Sequence, residues 1–407
     1  MGGNAPGNIC MKCEVKDGIY WVGAIDWNMR DFHGYDTPKG TSYNAYLIVD
    51  EKVALVDTVK GGFSEEMLMN ISEHVDPGRI DHIIVNHLEK DHSGSLEEAM
   101  GRAKNAKIYC STRAKPGLID KYGDRWPINV VKTGDTLKLG KKTLRFIEVP
   151  MVHWPDSMVT YVEEDKVLLS NDAFGQHIAT SQRFEDEVRA NILYDARAYY
   201  ANILMPLSPI IAETLKKLPP LNVAPEVIAP SHGLIWRRDP GRIVDAYVKW
   251  SSFKARDEAV IAYSSMWGLT DAMARLIAFG IMDEGVDVRL YDLHESTLAS
   301  VMTDLLEAKA VVVGSSTQNN IMLHRTAEFM AYLRGLRPKN KIGAAFGAYG
   351  WAGGAVKEID EGLKALGLET MEPLSFKHVM TTLGEDDKNK CIMFGRDIAK
   401  KIKGGSR

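Results

Sequence analysis

His87-Leu88-Glu89-Lys90-Asp91-His92 places four potential metal ligands within six residues, directly after the apolar run Ile83-Ile84-Val85. A short apolar run has the length of a strand, and the polar turn after it is where a rigid sheet presents side chains. One cation does not need so many donors. Imidazole suits iron, zinc and copper, whereas carboxylate favours harder or more oxidised ions, so a mixed set this dense suggests two adjacent metals. The plain alternative is a charged cap on the helix after a strand, with every side chain solvated. Candidates further along the chain weigh against it.

Those candidates are His153, Asp172 and His232. Each follows a stretch that reads as a strand: Phe146-Ile147-Glu148-Val149-Pro150, Val167-Leu168-Leu169-Ser170-Asn171 and Val227-Ile228-Ala229-Pro230-Ser231. A lone histidine is usually a packing or surface residue. Residues at strand ends, however, project into a common rim, which is how ligands distant in sequence converge. Asp57 sits in the same way after Val53-Ala54-Leu55-Val56, where an ordinary turn residue is an equal alternative.

This arrangement resembles the metallo-β-lactamase superfamily. Its hydrolases usually show H-x-H-x-D-H, whereas Glu89 makes the motif here H-x-E-x-D-H, which resembles the iron-binding variant of flavodiiron proteins. A carboxylate in place of an imidazole favours an iron pair over zinc. The resemblance extends through Trp154-Pro155-Asp156-Ser157-Met158, Ser170-Asn171-Asp172-Ala173-Phe174-Gly175-Gln176-His177 and Ala229-Pro230-Ser231-His232-Gly233, and so covers the first half of the chain. It implies one iron on His87, Glu89 and His153, a second on Asp91, His92 and His232, and Asp172 as the bridge. It also implies that Asp57 orients a ligand histidine and that Phe32, His33, His177 and Tyr200 line the substrate pocket, with His33, His177 and Tyr200 as proton or orientation residues.

The second half carries a different pattern. Ala259-Val260-Ile261-Ala262-Tyr263 has strand length and leads through Ser264-Ser265-Met266-Trp267-Gly268-Leu269-Thr270 into Asp271–Ala278, which has helical periodicity. A strand, a hydroxyl-rich loop and a helix N-terminus make a phosphate cradle, with Ser265 and Thr270 adding hydroxyl donors. No lysine follows Gly268 and there is no G-x-G-x-x-G, so neither a nucleoside-triphosphate loop nor a dinucleotide fingerprint fits.

Two further strand-to-loop junctions follow, Ala310–Gly314 into Ser315-Ser316-Thr317-Gln318-Asn319-Asn320, and Lys341–Gly347 into Ala348-Tyr349-Gly350-Trp351-Ala352-Gly353-Gly354. In a doubly wound sheet such loops meet beyond the carboxyl ends of the strands, where Tyr349 or Trp351 can stack on a flat ring. The order resembles flavodoxin, which implies FMN held by the Ser265–Thr270 loop and the two later loops. Trp267 stands where that family has a hydroxyl.

The expected fold is therefore α/β: a metallo-β-lactamase-like αββα sandwich over residues 1–254, then a flavodoxin-like doubly wound parallel sheet over 255–407. Arg242–Trp250 reads as a closing helix and 251–258 as the link. At 407 residues with 45% hydrophobic content the chain is long enough for two buried cores, and a net charge of -4 gives no reason to expect nucleic acid. No apolar run has bilayer-spanning length, the N-terminus lacks signal-peptide blocks, Pro6 disrupts a myristoylation motif, and four cysteines are too few for a disulfide scaffold; a cytoplasmic protein is expected. Cys10-Met11-Lys12-Cys13 lacks the second pair that a rubredoxin-type site needs and reads as incidental.

The flavodiiron resemblance implies an oxidoreductase that reduces dioxygen to water, nitric oxide to nitrous oxide, or both. FMN feeds electrons to the irons, and a head-to-tail homodimer, or a dimer of such dimers, brings one chain's flavin to the other's metals. A separate rubredoxin is the expected donor, with reduced coenzyme F420 as the alternative. A metallo-hydrolase with an accessory flavin domain is the rival reading, and Glu89 argues against it. An electron carrier with an inert first domain has little support, because all seven ligand positions carry suitable residues.

Overall fold

The computed structural model describes residues 13–377 and 382–404. The chain divides into two compact units. One comprises the residues through Tyr199 together with Ile210–Val248, and the other comprises Tyr200–Pro209 and the chain from Lys249 onward. The short stretch Tyr200–Pro209 thus falls with the second unit although it interrupts the first in sequence.

The first unit is built on two sheets. Seven strands run in the order Cys13–Lys16, Ile19–Trp21, Tyr46–Val49, Val53–Val56, Ile80–Val85, Lys107–Ser111 and Ile128–Val131, antiparallel up to Val53–Val56 and parallel beyond it. Five strands form the other sheet: Thr136–Lys138, Thr143–Glu148, Met158–Val162, Val167–Asn171 and Val227–Pro230, of which only the last pair is parallel. Alternation along each strand assigns its two faces. Ala54 and Val56 pack with Phe146, Met158, Leu169 and Ala229 between the sheets, while Val53 and Leu55 pack with Met67, Ile71 and Met100 of the helices outside. This is the expected αββα sandwich, because each sheet can bury both faces only with helices on its outer side.

In the second unit the parallel strands Asp287–Asp292, Arg256–Ser264, Ala308–Gln318, Ile342–Tyr349 and Glu369–Thr370 lie side by side in that order, and Leu374–Lys377 also pairs with Ile342–Tyr349. In chain order the sheet reads 2-1-3-4-5, the flavodoxin arrangement. Strand interiors such as Val311-Val312-Val313 are fully buried, as a sheet covered by helices on both faces requires.

Several elements extend past their expected limits. The stretch 256–258, read as linker, is already strand, and the closing helix spans Pro240–Ser251. Ser315–Gln318, read as loop, continues the strand from Ala308 and folds back on Ile321–Met322. Polarity is a poor guide there, because residues at the end of a buried strand keep the ladder while facing a ligand edge. Cys10 lies outside the described residues, whereas Cys13 opens the first strand as a buried free thiol.

Candidate metal centre and flavin edge

All seven candidate ligands lie at or just beyond strand ends. His87 and Glu89 follow Ile80–Val85, Asp91 and His92 ride the short helix Lys90–Ser93, His153 lies in the turn before Met158–Val162, and Asp172 and His232 follow the adjacent parallel strands Val167–Asn171 and Val227–Pro230. The first strand belongs to one sheet and the other three to its partner, so the group gathers where both sheets end.

The side chains form two clusters, His87, Glu89, His153 and Asp172 in one and Asp91, His92 and His232 in the other. In the first, His87 Nε2 and His153 Nε2 each stand 3.3 Å from Glu89 Oε2, and Asp172 Oδ2 is 3.3 Å from His153 Nε2 and 3.8 Å from His87 Nε2. In the second, Asp91 lies 3.4 Å from His92 Nε2 and 3.2 Å from His232 Nε2, while Asp172 Oδ1 is 2.9 Å from His92 Nε2 and 3.5 Å from His232 Nε2. Asp172 is 1% exposed and turns one oxygen to each cluster.

The donor set fits metal. Two donors each about 2.1 Å from one cation lie roughly 3.0–3.4 Å apart at tetrahedral or octahedral angles, which is the spacing found here. Buried polar atoms are nearly always hydrogen-bonded. Yet both Asp91 oxygens, Asp172 Oδ2 and His232 Nε2 are buried without a hydrogen-bond partner among the described residues.

The electrostatics agree. Burial alone would lower the histidine pKa values, but it is outweighed. The close carboxylates of Asp156 and Glu89 raise His87 to about 10, those of Asp172 and Glu89 raise His153 to about 9, and those of Asp172 and Asp91 raise His232 to about 10. Burial would likewise raise Asp172, yet the surrounding histidines, led by His92, hold it well below the carboxylate range. A pocket that attracts protons this strongly attracts cations for the same reason.

The neighbouring side chains refine the expectations. Asp57 accepts from Asn86 N at 2.8 Å and from the side chains of Asn86 and Asn171 at 3.1 and 3.2 Å, not from a ligand histidine. It braces the residues immediately before His87 and Asp172. Asp156 is the carboxylate that meets His87, with Oδ2 3.0 Å from Nδ1. Tyr200 is also corrected: its hydroxyl pairs with Ser208 Oγ at 2.9 Å and its ring lies against Trp250, whereas neighbouring Tyr199 donates to Asp172 Oδ1 at 3.1 Å. Phe32, His33 and His177 do stand at the centre. His33 Nε2 is 2.6 Å from Glu89 Oε1, the Phe32 ring lies 4.6 Å from that of His177, and His177 Nδ1 is 2.8 Å from Thr41 Oγ1. The role of Thr41 carried no sequence signal, since a single hydroxyl in a strand is unremarkable. Asp156 lay within a recognised motif without an assigned partner.

In the second unit, Ser264, Ser315 and Gly347 stand in one row across the ends of three parallel strands, so the loops beyond them rise from one edge. Gly268, at φ 84°, makes the left-handed turn into the helix Leu269–Asp283. Ser265 Oγ accepts from Gly268 N at 3.1 Å and keeps its hydroxyl hydrogen free to donate. Ser316 Oγ accepts from Met266 N at 3.2 Å and lies 2.9 Å from Thr270 Oγ1, while Thr317 Oγ1 accepts from Ala355 N. Gln318 ends its strand, Asn319 and Asn320 take positive φ of 50° and 65°, and a Cβ on Gly354 would stand 1.8 Å from Asn320 O, so the two loops touch. Trp267 and Trp351 are 80% and 88% exposed, which leaves two indole rings free to cover a flat ligand.

A lactamase-type sandwich with a three-carboxylate, four-histidine pocket, followed by a doubly wound sheet with a hydroxyl-rich loop, defines a two-module redox protein. Residues 41–233 match the family described as ODP family beta lactamase, and residues 261–393 match flavodoxin. The chain is 48% identical over 392 residues to a nitric oxide reductase of Moorella thermoacetica, covering 95% of this chain and 98% of that one. It is similar to the rubredoxin oxygen:oxidoreductase structure from Desulfovibrio gigas (TM-score 0.93, 41% identity, 97% and 99% coverage) and to the flavodiiron protein from Giardia intestinalis (0.94, 34%, 98% of each). The chain belongs to the flavodiiron protein family and is an oxidoreductase; the hydrolase reading falls. No helix among the described residues is long and apolar enough to cross a membrane.

Proposed function

We propose that the chain holds two irons and one FMN and reduces dioxygen to water, nitric oxide to nitrous oxide, or both. One iron sits on His87, Glu89 and His153, the other on Asp91, His92 and His232, with Asp172 between them. The observation that carries the reading is the geometry of Asp172, whose two oxygens face separate clusters. When bound, the iron pair would supply electrons to a small diatomic molecule, and the flavin would supply them from a reservoir that releases them singly.

The chain's own residues position and protonate. Tyr199 donates to Asp172 and keeps its proton, because burial, reinforced by Asp172, pushes its pKa well above the usual value. His177 is held neutral by burial and by nearby His232, so it carries one ring proton, and its Nε2 is buried without a hydrogen-bond partner among the described residues. His33 is 2.6 Å from Glu89 and reaches solvent, a route for protons into the pocket. Phe32, packed against His177 and 6.0 Å from His232, excludes water from that side. The FMN phosphate is assigned to Ser265, Met266, Trp267, Gly268, Leu269 and Thr270, and its ring to Ser316–Asn320, Ala348, Tyr349, Gly350, Trp351 and Gly353. We further assign a domain boundary at residues 254 and 255, a cytoplasmic site of action, a head-to-tail homodimer and a separate donor, with rubredoxin preferred to reduced coenzyme F420.

The test is stopped-flow oxidation of the fully reduced, iron-loaded protein by limiting dioxygen, with hydrogen peroxide assayed at the end. Rapid oxidation without peroxide is expected if the metals deliver all four electrons. Slow oxidation with stoichiometric peroxide would mean that the flavin alone reacts with dioxygen, and the same experiment with nitric oxide would then decide the substrate.

A further inference from the structure

The two clusters differ in what stands behind their histidines. His87 Nδ1 lies 3.0 Å from Asp156 Oδ2, and the same oxygen accepts from Leu88 N at 2.8 Å. A carboxylate only accepts, so Nδ1 must carry a proton, and in the neutral imidazole that binds a metal Nε2 then presents its lone pair to the cluster. Asp156 is itself held: its carbonyl accepts from Ser111 Oγ at 2.7 Å, and Ser111 Oγ in turn accepts from Ala114 N at 3.1 Å. It is 6% exposed, and the Trp154 ring stands edge-on to His87 at 5.0 Å. In the other cluster, His232 Nδ1 donates to a neutral group, Ser42 O, at 2.8 Å, and His92 Nδ1 has no hydrogen-bond partner among the described residues.

Position adds to this asymmetry. Asp156 lies three residues after His153, in the turn that carries that ligand, and reaches across to His87 and Leu88 on the other sheet's loop. Met158 N, two residues further on, donates to Asn86 O at 2.9 Å, immediately before His87. One short segment therefore ties together two side chains of the same cluster, and among the described residues it makes no hydrogen bond to either histidine of the other.

We propose that Asp156 is a positioning residue that makes the His87–Glu89–His153 half-site the tighter of two unequal metal sites, by fixing the His87 tautomer and raising its basicity with a buried carboxylate. A carboxylate behind a ligand imidazole typically changes metal affinity about 10–100-fold. The inference rests on the ligand assignment above. Asp156→Ala removes both the charge and the brace, whereas Asp156→Asn keeps an acceptor for His87 and Leu88 and removes only the charge.

The experiment reconstitutes the full chain with iron(II) enriched for Mössbauer spectroscopy and follows iron retention during a timed chelator challenge. His153→Ala and His232→Ala mark which spectral component belongs to which half-site. In the unaltered protein the component lost in His153→Ala should be the last to leave. Asp156→Ala should release that component about 10–100-fold faster and leave the one marked by His232→Ala unchanged, with Asp156→Asn in between. Equal loss of both components in Asp156→Ala, or no change in either, would overturn the inference while leaving the ligand assignment intact. If the unaltered protein retains fewer than two irons before the challenge, or if the two marker variants lose the same component, the ligand assignment itself falls and the inference with it.

Discussion

Asp172 carries the most at the scale of single residues, because both clusters share it. Asp172→Ala should lower iron content at both sites, by at least the roughly 10–100-fold that even outer-sphere changes cause, with FMN content unchanged. Iron and flavin counted on the same purified sample check it, and loss of flavin alone would contradict the assignment. The two candidate ligand clusters were legible because coordination chemistry needs specific side chains, and each stands just after an apolar run that announces a strand. The tyrosine was not. Tyr199 and Tyr200 are chemically identical, and adjacent positions on a helix point about 100° apart, so only the packing of Ile192–Tyr199 and the wider turn Tyr200–Leu204 separates the one that donates to Asp172 from the one that pairs with Ser208. Asp57 and Asp156 show the same limit: sequence placed both near the site, but which backbone or ring nitrogen each carboxylate accepts depends on how loops from two sheets meet.

Among elements, the phosphate loop and its helix give the sharpest prediction. Thr270→Ala removes the hydroxyl shared with Ser316 at 2.9 Å, itself bonded to Met266 N, and should loosen the loop. A lost hydrogen bond of this kind is worth about 1 kcal/mol, so FMN should dissociate roughly five- to tenfold more readily while iron is unaffected; fluorescence of released flavin measures it, and a fall in iron with flavin retained would mean that the loop is misassigned. The pattern of strand, hydroxyl loop and helix was readable from periodicity, whereas the reach of Ala308–Gln318 into Ser315–Gln318 was not, since ladder pairing with Ile342–Tyr349 and Ile321–Met322 holds polar residues in extended form. Before the last long strand of this sheet, Lys341 is buried and donates to Leu306 O and Ala308 O. Burial lowers its pKa from 10.5 to about 7. The unfolded chain therefore holds a proton that the folded one has released between pH 7 and 10.5, so this lysine makes stability rise with pH across that window and level off above it. Urea unfolding of the flavodoxin unit at stepped pH should show a rise of up to about 1.4 kcal/mol per pH unit, which Lys341→Met should flatten.

For the whole molecule the question is how electrons would travel between the two proposed cofactors, and the proposed head-to-tail dimer makes a prediction that transfer within one chain cannot. A chain carrying Asp172→Ala keeps its flavin but loses its irons, and a chain carrying Thr270→Ala and Ser316→Ala keeps its irons but loses its flavin. Each alone should be inactive with a reduced rubredoxin as donor. Unfolding is unnecessary if the two are co-expressed with different tags and the mixed dimer is isolated through both. In that dimer one of the two junctions joins an intact flavin to an intact iron pair and the other joins two empty sites, so activity should return to about half that of the unaltered dimer. Transfer within a chain leaves every route broken, and the mixed dimer would then be as inactive as its parents. Dilution separates the two cases again: if the junction lies between chains, activity per iron pair falls as dimers dissociate, whereas a route inside one chain is indifferent to concentration.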